Sequence, residues 1–197
     1  MANDVLAFDI ETKNLSNEIG GWNNTHMFLV STVSTWDGDI AKVYVDEPER
    51  ISKGEYQVLP MGQLKFDLDD HLEKGGLLLG HNIAGFDLPV LRDSLDIYCI
   101  HKYFKNNQYI DTSKLITKAC GERITLQNAI DHTLGESKSL ESHEAPALWK
   151  MGEYDTVIEY CLKDSQLVYD LWKAGQSDTI KAFSIKNKEI IDIEVKW

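Results

Sequence analysis

The feature that most constrains the fold and chemistry of this chain is a short apolar segment, predicted to be a strand, with two acidic residues at its end. Residues 5–10, VLAFDI, form an apolar run suited to a buried strand, and Glu11 follows directly. Because side chains at i and i+2 of a strand point to one face, Asp9 and Glu11 project together while Phe8 and Ile10 face the other way. Burying two like charges costs free energy unless something compensates them. A divalent cation such as Mg²⁺ or Mn²⁺ is the usual compensation; the alternative is a strand end that reaches solvent.

Strand and helix patterns follow one another along the rest of the chain, without an internal repeat or a clear linker. Asp37-Gly38 separates two loosely alternating runs and predicts a β-hairpin, and Gly75-Gly76 ends a helix. The tail alternates in a way that predicts a terminal hairpin or an extended arm. This order predicts an α/β fold with three layers. The predicted strands are 5–10, 28–36, 39–45, 77–81 and 109–112, and the predicted helices are 61–74, from about 88, 113–120, 125–134 and 153–174.

The net charge argues against a protein that coats nucleic acid. The chain has 20 Lys and Arg residues against 32 Asp and Glu residues, a net charge of −12, and such a chain repels nucleic acid on average. A nuclease stays compatible, because bound divalent cations reverse the local sign of an acidic site. Residues 101–125 are basic and contain Tyr103, Phe104 and Tyr109. That stretch suits either a nucleic acid single strand or a solvated helical face beside buried aromatic residues.

The sequence has none of the features of a membrane or secreted protein. No apolar run approaches the ~20 residues that a membrane span requires. The N-terminus has neither the basic region nor the long apolar run of a signal peptide. Cys99, Cys120 and Cys161 are an odd number without CxxC spacing, which fits a reducing compartment. We therefore expect a cytoplasmic protein without a membrane partner.

The segment GHNIAGFDLPVL, residues 80–91, is the second candidate for chemistry. Asp87 follows a predicted buried strand and a glycine-containing turn, where it can either cap the next helix or contribute a functional carboxylate. Asn82 and Phe86 precede it, and an amide and an aromatic ring can contact the sugar and base of a nucleotide. They can equally order the turn.

The third candidate is YCLKD, residues 160–164, on the strongest predicted helix. Tyr160 and Asp164 are four residues apart and share a helix face, which also carries apolar residues. A carboxylate on a core-facing stripe needs a partner, and a phenol one turn away could orient a water near it. The alternative is a packed tyrosine and a locally hydrogen-bonded aspartate.

The order of these three motifs resembles that of the DEDDy exonucleases. These are 3′→5′ nucleases with a ribonuclease H-like fold, and their motifs are similar to Asp-x-Glu, Asn-x-x-x-Phe-Asp and Tyr-x-x-x-Asp here. The residues of the last two motifs, GHNIAGFDLPVL and YCLKD, are most similar to those in the stand-alone relatives of the family B DNA polymerase proofreading domain. The resemblance covers about residues 5–172. It implies a domain over 1–178 with a central mixed sheet flanked by helices, and the predicted hairpin or arm over 179–197 lies outside the core of that family.

The resemblance also implies a two-metal mechanism that uses Mg²⁺ or Mn²⁺. Asp9 would bridge both cations, and Glu11 and Asp164 would complete the site of the cation that activates water. Asp87 would hold the second cation. Tyr160 would orient the attacking water, which makes these five residues the expected catalytic set. The expected products are nucleoside 5′-monophosphates.

The expected substrate is the 3′ end of single-stranded nucleic acid, with DNA favoured over RNA. By the same resemblance, Thr12, Asn82 and Phe86 would contact the terminal nucleotides. Nothing in the chain resembles a polymerase palm or fingers, so a polymerase or another replication or repair protein is expected to act in trans. Two alternatives stay open: a non-catalytic nucleic-acid-binding module of the same fold, and an exonuclease restricted to very short oligonucleotides.

Overall fold

A six-stranded mixed sheet forms the centre of the fold. The computed structural model describes residues 4–52, 54–137, 140 and 143–197. The strands are β1 (Val5–Thr12), β2 (Val30–Trp36), β3 (Ala41–Val45), β4 (Gln57–Pro60), β5 (Leu77–Gly80) and β6 (Tyr109–Asp111). Their order across the sheet is β4-β3-β2-β1-β5-β6. β2 is antiparallel to both of its neighbours, and the other pairs are parallel.

Helices cover both faces of this sheet, which gives the three layers that the sequence predicts. The first layer contains α1 (Leu64–Glu73), α2 (Asp87–Ser94) and α3 (Ile100–Asn106); the second contains α4 (Thr112–Cys120), α5 (Leu126–Thr133) and α7 (Tyr154–Ser177), with α6 (Ala145–Met151) leading into α7. Strand alternation in β1 sends Phe8 and Ile10 into the core under α1–α3. Val5 and Ala7 point into the core under α4, α5 and α7.

The C-terminal residues form the predicted hairpin. Strands β7 (Ile180–Ser184) and β8 (Glu189–Ile193) pair antiparallel as a separate two-stranded sheet. Ile180, Ala182 and Ile193 are buried in the same core as α5 and α7. The inner face of the hairpin is therefore held by apolar burial against the rest of the fold.

Most predicted elements are confirmed, and three short ones were not predicted. The hairpin at Asp37-Gly38 joins β2 to β3, and Gly38 has a φ of +101°, which favours glycine. β4, α3 and α6 were not predicted. β4 has four residues and ends in Pro60, which cannot donate to a ladder, so its pairing with β3 rather than its own pattern defines it.

The aromatic residues of the basic stretch face the interior. Tyr103 is fully buried, and its hydroxyl donates to the carbonyl of Leu68 over 2.8 Å. Phe104 and Tyr109 are partly buried against the core under α1–α3, and their two rings pack edge to face with centroids 5.5 Å apart. Around α3 the burial of these rings favours the solvated-face interpretation.

Within the described residues, every helix is too short or too polar to cross a bilayer.

Candidate active site

The four predicted carboxylates line one cavity of about 750 Å³. Asp9 and Glu11 come from β1, Asp87 from the start of α2 and Asp164 from the middle of α7. Glu11, Asp87 and Asp164 are each less than a tenth exposed, and Asp9 is half-buried. Side chains that lie up to 155 positions apart in the chain are thus brought to one concave surface.

The pleat of β1 explains why two of these carboxylates face the helix that carries a third. Asp9 and Glu11 share the strand face of Val5 and Ala7, and this is the face that α7 covers. Helix α7 is docked there by Cys161, whose thiol lies 3.4 Å from the carbonyl oxygen of Asp9.

Ser34 completes this docking contact from the neighbouring strand. It lies opposite Asp9 in the ladder, and its hydroxyl donates to the carbonyl of Cys161 over 2.8 Å. Asp164 follows Cys161 by one helical turn, so the docked helix presents its carboxylate toward the end of β1.

The Cys161 thiol lies near three of the carboxylates of the cavity. Its pKa is raised well above the ordinary value, first by complete burial and then by the nearby charges of Asp9, Glu11 and Asp164. Three carboxylates acting on one buried group are close enough for their charges to sum. Acidic side chains gathered in this way attract cations.

Asp87 begins α2 instead of capping it. Phe86 occupies the N-cap position of α2 and makes no side-chain capping hydrogen bond. The alternative interpretation of Asp87 as an N-cap is therefore wrong. The residue is buried in the first helical turn and lines the cavity.

The turn before Asp87 is held by a residue that the sequence analysis did not single out. Asp111, at the end of β6, is 2% exposed. Its Oδ1 accepts hydrogen bonds from the amides of Asn82 and Lys114 at 3.0 and 3.2 Å, and its Oδ2 accepts from the amide of Ala84 at 3.1 Å. The available signal was an aspartate three residues before a helical amide, which is the usual capping arrangement.

All three predicted substrate contacts line the same cavity. Thr12 follows a β-bulge in β1, and its hydroxyl donates to the carbonyl of Asn14 over 2.8 Å. Asn82 adopts a left-handed backbone conformation with a φ of +68°, which asparagine tolerates better than most residues. Phe86 stands at the end of that turn.

Phe86 belongs to an aromatic cluster that the sequence analysis missed. Its ring packs edge to face against Trp22 at 5.3 Å and against Phe28 at 5.1 Å. Trp22 is 65% exposed and lines the cavity. A large exposed ring at a cavity wall is available to stack on a base; its position in the polar loop GGWNN was the signal.

The start of α5 contributes the polar wall. Arg123, Thr125 and Gln127 line the cavity there, and Thr125 caps the helix by accepting from the amide of Asn128. Among the described residues that line the cavity, Arg123 is the only Lys or Arg. It places one exposed positive charge beside the positive end of the helix dipole, an arrangement suited to a phosphate.

Tyr160 differs from the other predicted residues in its placement. It lies one turn before Asp164 on α7 and is 1% exposed. It is not among the described residues that line the cavity. Its role in orienting water stays a prediction.

The donor set of the cavity fits hard divalent cations. Four carboxylates supply only oxygen atoms, which Mg²⁺ and Mn²⁺ prefer. Across residues 4–52, 54–137, 140 and 143–197, no three His, Cys, Asp or Glu side chains already converge as a metal-binding group. The fit therefore depends on the chemistry of the four acids and on their common cavity.

The chain matches no model of a known protein family, and no curated protein matches it.

Proposed function

We propose that the protein is a metal-dependent 3′→5′ exonuclease. It would hydrolyse phosphodiester bonds at the 3′ end of single-stranded nucleic acid, DNA in preference to RNA, and release nucleoside 5′-monophosphates. The observation that carries the proposal is the cavity at the end of β1, which four carboxylates from three separate elements line. A mixed sheet between two helical layers supports the accompanying proposal of a ribonuclease H-like fold.

The four carboxylates have the role of holding two divalent cations. Asp9 would contribute to both, Glu11 and Asp164 to one, and Asp87 to the other. Such cations, when bound, would polarise the scissile phosphate and make attack by water possible near neutral pH. The buried acids would in turn gain the compensating positive charge that makes their burial affordable.

The remaining residues of the cavity would bind and orient the nucleic acid. Trp22 and Phe86 offer ring faces and edges to the terminal bases. Thr12 and Asn82 supply polar groups for the sugar at the 3′ end, and Arg123 binds a phosphate of the strand. Holding the strand in one register puts a single bond beside the carboxylates.

Tyr160 has the role of orienting the attacking water in this proposal. The phenol lies on the same helical face as Asp164, one turn earlier. We expect Tyr160→Phe to lower the cleavage rate while Mn²⁺ binding, measured by titration calorimetry, changes little. A large loss of Mn²⁺ affinity in Tyr160→Phe would assign this residue to the metal site instead.

Substitution of Asp9 tests the proposal. We expect Asp9→Ala to abolish cleavage of a 5′-labelled single strand, because it removes the side chain assigned to both cations. Asp67→Ala is the matched control, since Asp67 is a partly buried acid that lies outside this cavity and pairs with Lys42 at 2.9 Å. If Asp9→Ala kept more than about a tenth of wild-type activity, a loss under ~1.4 kcal/mol in barrier, the assignment would be wrong.

A further inference from the structure

The C-terminal hairpin ends in a basic and apolar tip. Residues 181–188 read KAFSIKNK, with three lysines and no acid. Alternation along β7 buries Ala182 and Ser184 and turns Lys181 and Phe183 outward, and Ile185, which follows the strand, is also exposed. Phe183 is 40% exposed and Ile185 is 77% exposed. We refer to Phe183, Ile185, Lys186 and Lys188 as the hairpin tip.

The hairpin tip is fixed to the helix that forms one wall of the cavity. The side-chain amide of Asn128 on α5 pairs with the backbone of Phe183, accepting from its N–H and donating to its C=O, both at 2.8 Å. At the base of the hairpin, the hydroxyl of Thr133 bonds in the same way with the backbone of Lys181 at 2.9 and 3.0 Å. These contacts satisfy the edge of β7 that does not pair with β8, and they attach the hairpin to α5.

A second anchor connects the hairpin tip to the cavity rim. The carboxylate of Glu122 accepts hydrogen bonds from the hydroxyl of Ser184 and from the amide of Lys186. The next residue along the chain is Arg123, which lines the cavity. The hairpin tip is therefore attached directly beside the rim of the cavity.

The charges along this path favour an anion. In the part of the chain that the structure describes, Arg123, Lys186 and Lys188 take part in no ion pair. The acids nearby are Glu122, which accepts the hairpin contacts and interacts electrostatically with Lys186, Asp192, which lies opposite Lys181, and Glu189, which begins β8. In a protein of net charge −12, a path with several basic and exposed apolar side chains differs from the average surface.

We propose that the hairpin tip binds the part of a nucleic acid single strand that leaves the cavity past Arg123. This inference depends on the proposed exonuclease function and names its substrate class: single strands several nucleotides longer than the segment in the cavity. Lys186 and Lys188 attract phosphates, and Phe183 and Ile185 pack against bases. The combination of backbone attraction and contact with base faces is how proteins bind single strands without reading their sequence.

The test compares kcat/KM for a single-stranded DNA 20-mer and for a trinucleotide of the same 3′ sequence. The tip variant is Lys186→Ala/Lys188→Ala. Its matched control is Lys102→Ala/Lys105→Ala, which removes two exposed lysines from α3. We expect the tip variant to lose activity on the 20-mer only. Each phosphate contact to a single strand contributes about 0.7 to the slope of log affinity against log salt concentration. The two lysines together contribute about 1.4, so the loss on the 20-mer should be about sevenfold larger at 50 mM than at 200 mM salt.

The outcomes separate this inference from the proposed function. If the wild type cuts neither substrate, the exonuclease proposal fails and this inference fails with it. If the wild type is active and the tip variant matches the control on both lengths and at both salt concentrations, only the role of the hairpin tip is refuted. The role of the hairpin tip is also refuted if the tip variant changes the oligomeric state in size-exclusion chromatography and leaves 20-mer cleavage unchanged. The tip is then a self-association surface.

Discussion

Asp111 is the residue whose replacement should most disturb the turn that carries Asp87. Asp111→Ala leaves the backbone amides of Asn82, Ala84 and Lys114 without their acceptor. A hydrogen bond to a charged group contributes about 1.5–3 kcal/mol, and the contributions of one network do not add fully. Allowing for partial replacement by water, we expect the free energy of unfolding to fall by about 3–5 kcal/mol, measured by urea denaturation.

Two further variants make this prediction quantitative. Asp111→Asn keeps an acceptor at Oδ1 but turns an amide donor toward the N–H of Ala84, so we expect about half the loss. Asp37→Ala is the control, because Asp37 also accepts from two backbone amides, those of Asp39 and Ile40, but in an exposed turn. If Asp111→Ala and Asp37→Ala both lost less than about 1 kcal/mol, Asp111 would not hold the turn.

Three other perturbations follow from burial. Gly80→Ala puts a Cβ onto Cγ2 of the buried Ile83, and we expect a loss of about 1–3 kcal/mol in urea denaturation. The thiol of Cys161 is buried and has a raised pKa, so iodoacetamide at pH 8 should label the less buried Cys120 first and Cys161 only on unfolding, as mass spectrometry would show. Burial lowers the pKa of His71, so its stabilising contribution is present above the pKa of the unfolded chain, ~6.5, and is lost as the pH falls below it.

Each of these has its own control. Gly62→Ala meets no atom within 4 Å and should leave stability nearly unchanged; equal losses at both glycines would refute the steric argument. Labelling of Cys161 as fast as Cys120 in the folded protein would mean that α7 is not docked tightly on β1. For His71, the comparison is His71→Asn between pH 7.5 and 5.5: a variant with an unchanged pH dependence of stability would remove His71 as its source.

The parts of the fold that the sequence predicts are those that local chemistry determines. The glycine at position 38 and the alternation on either side predict the hairpin between β2 and β3 without any long-range information. The leucine spacing in α1 and the long apolar stripe of α7 are equally local. β4 has four residues, and only its pairing with β3 makes it a strand, so its own pattern could not reveal it.

The residues of the candidate site also divide into those that local pattern predicts and those that only long-range packing brings there. The pleat of β1 predicts that Asp9 and Glu11 project together, and the structure places both on one cavity with Asp87 and Asp164. Trp22 stands out as an aromatic residue in a polar loop, but the sequence does not show which cavity it lines, because its loop meets α2 only through long-range packing.

Arg123 and Asp111 were missed for the same reason. One reaches the cavity through the placement of α5, and the other acts on amides more than 25 positions away along the chain. Residue types and local spacing show which side chains carry charge and where an element begins. They do not show which distant loops share a surface.

A cleavage assay with and without metal tests the central claim most directly. Single-stranded DNA and RNA 20-mers, labelled at the 5′ end, are incubated with the wild type or Asp9→Ala in Mg²⁺, in Mn²⁺ and in EDTA. The exonuclease account predicts a ladder that shortens from the 3′ end, stronger for DNA, present with either metal and absent with EDTA or in Asp9→Ala. Intact 20-mers in every lane would contradict that account, and metal-independent binding of the same strands would identify a non-catalytic binding module instead.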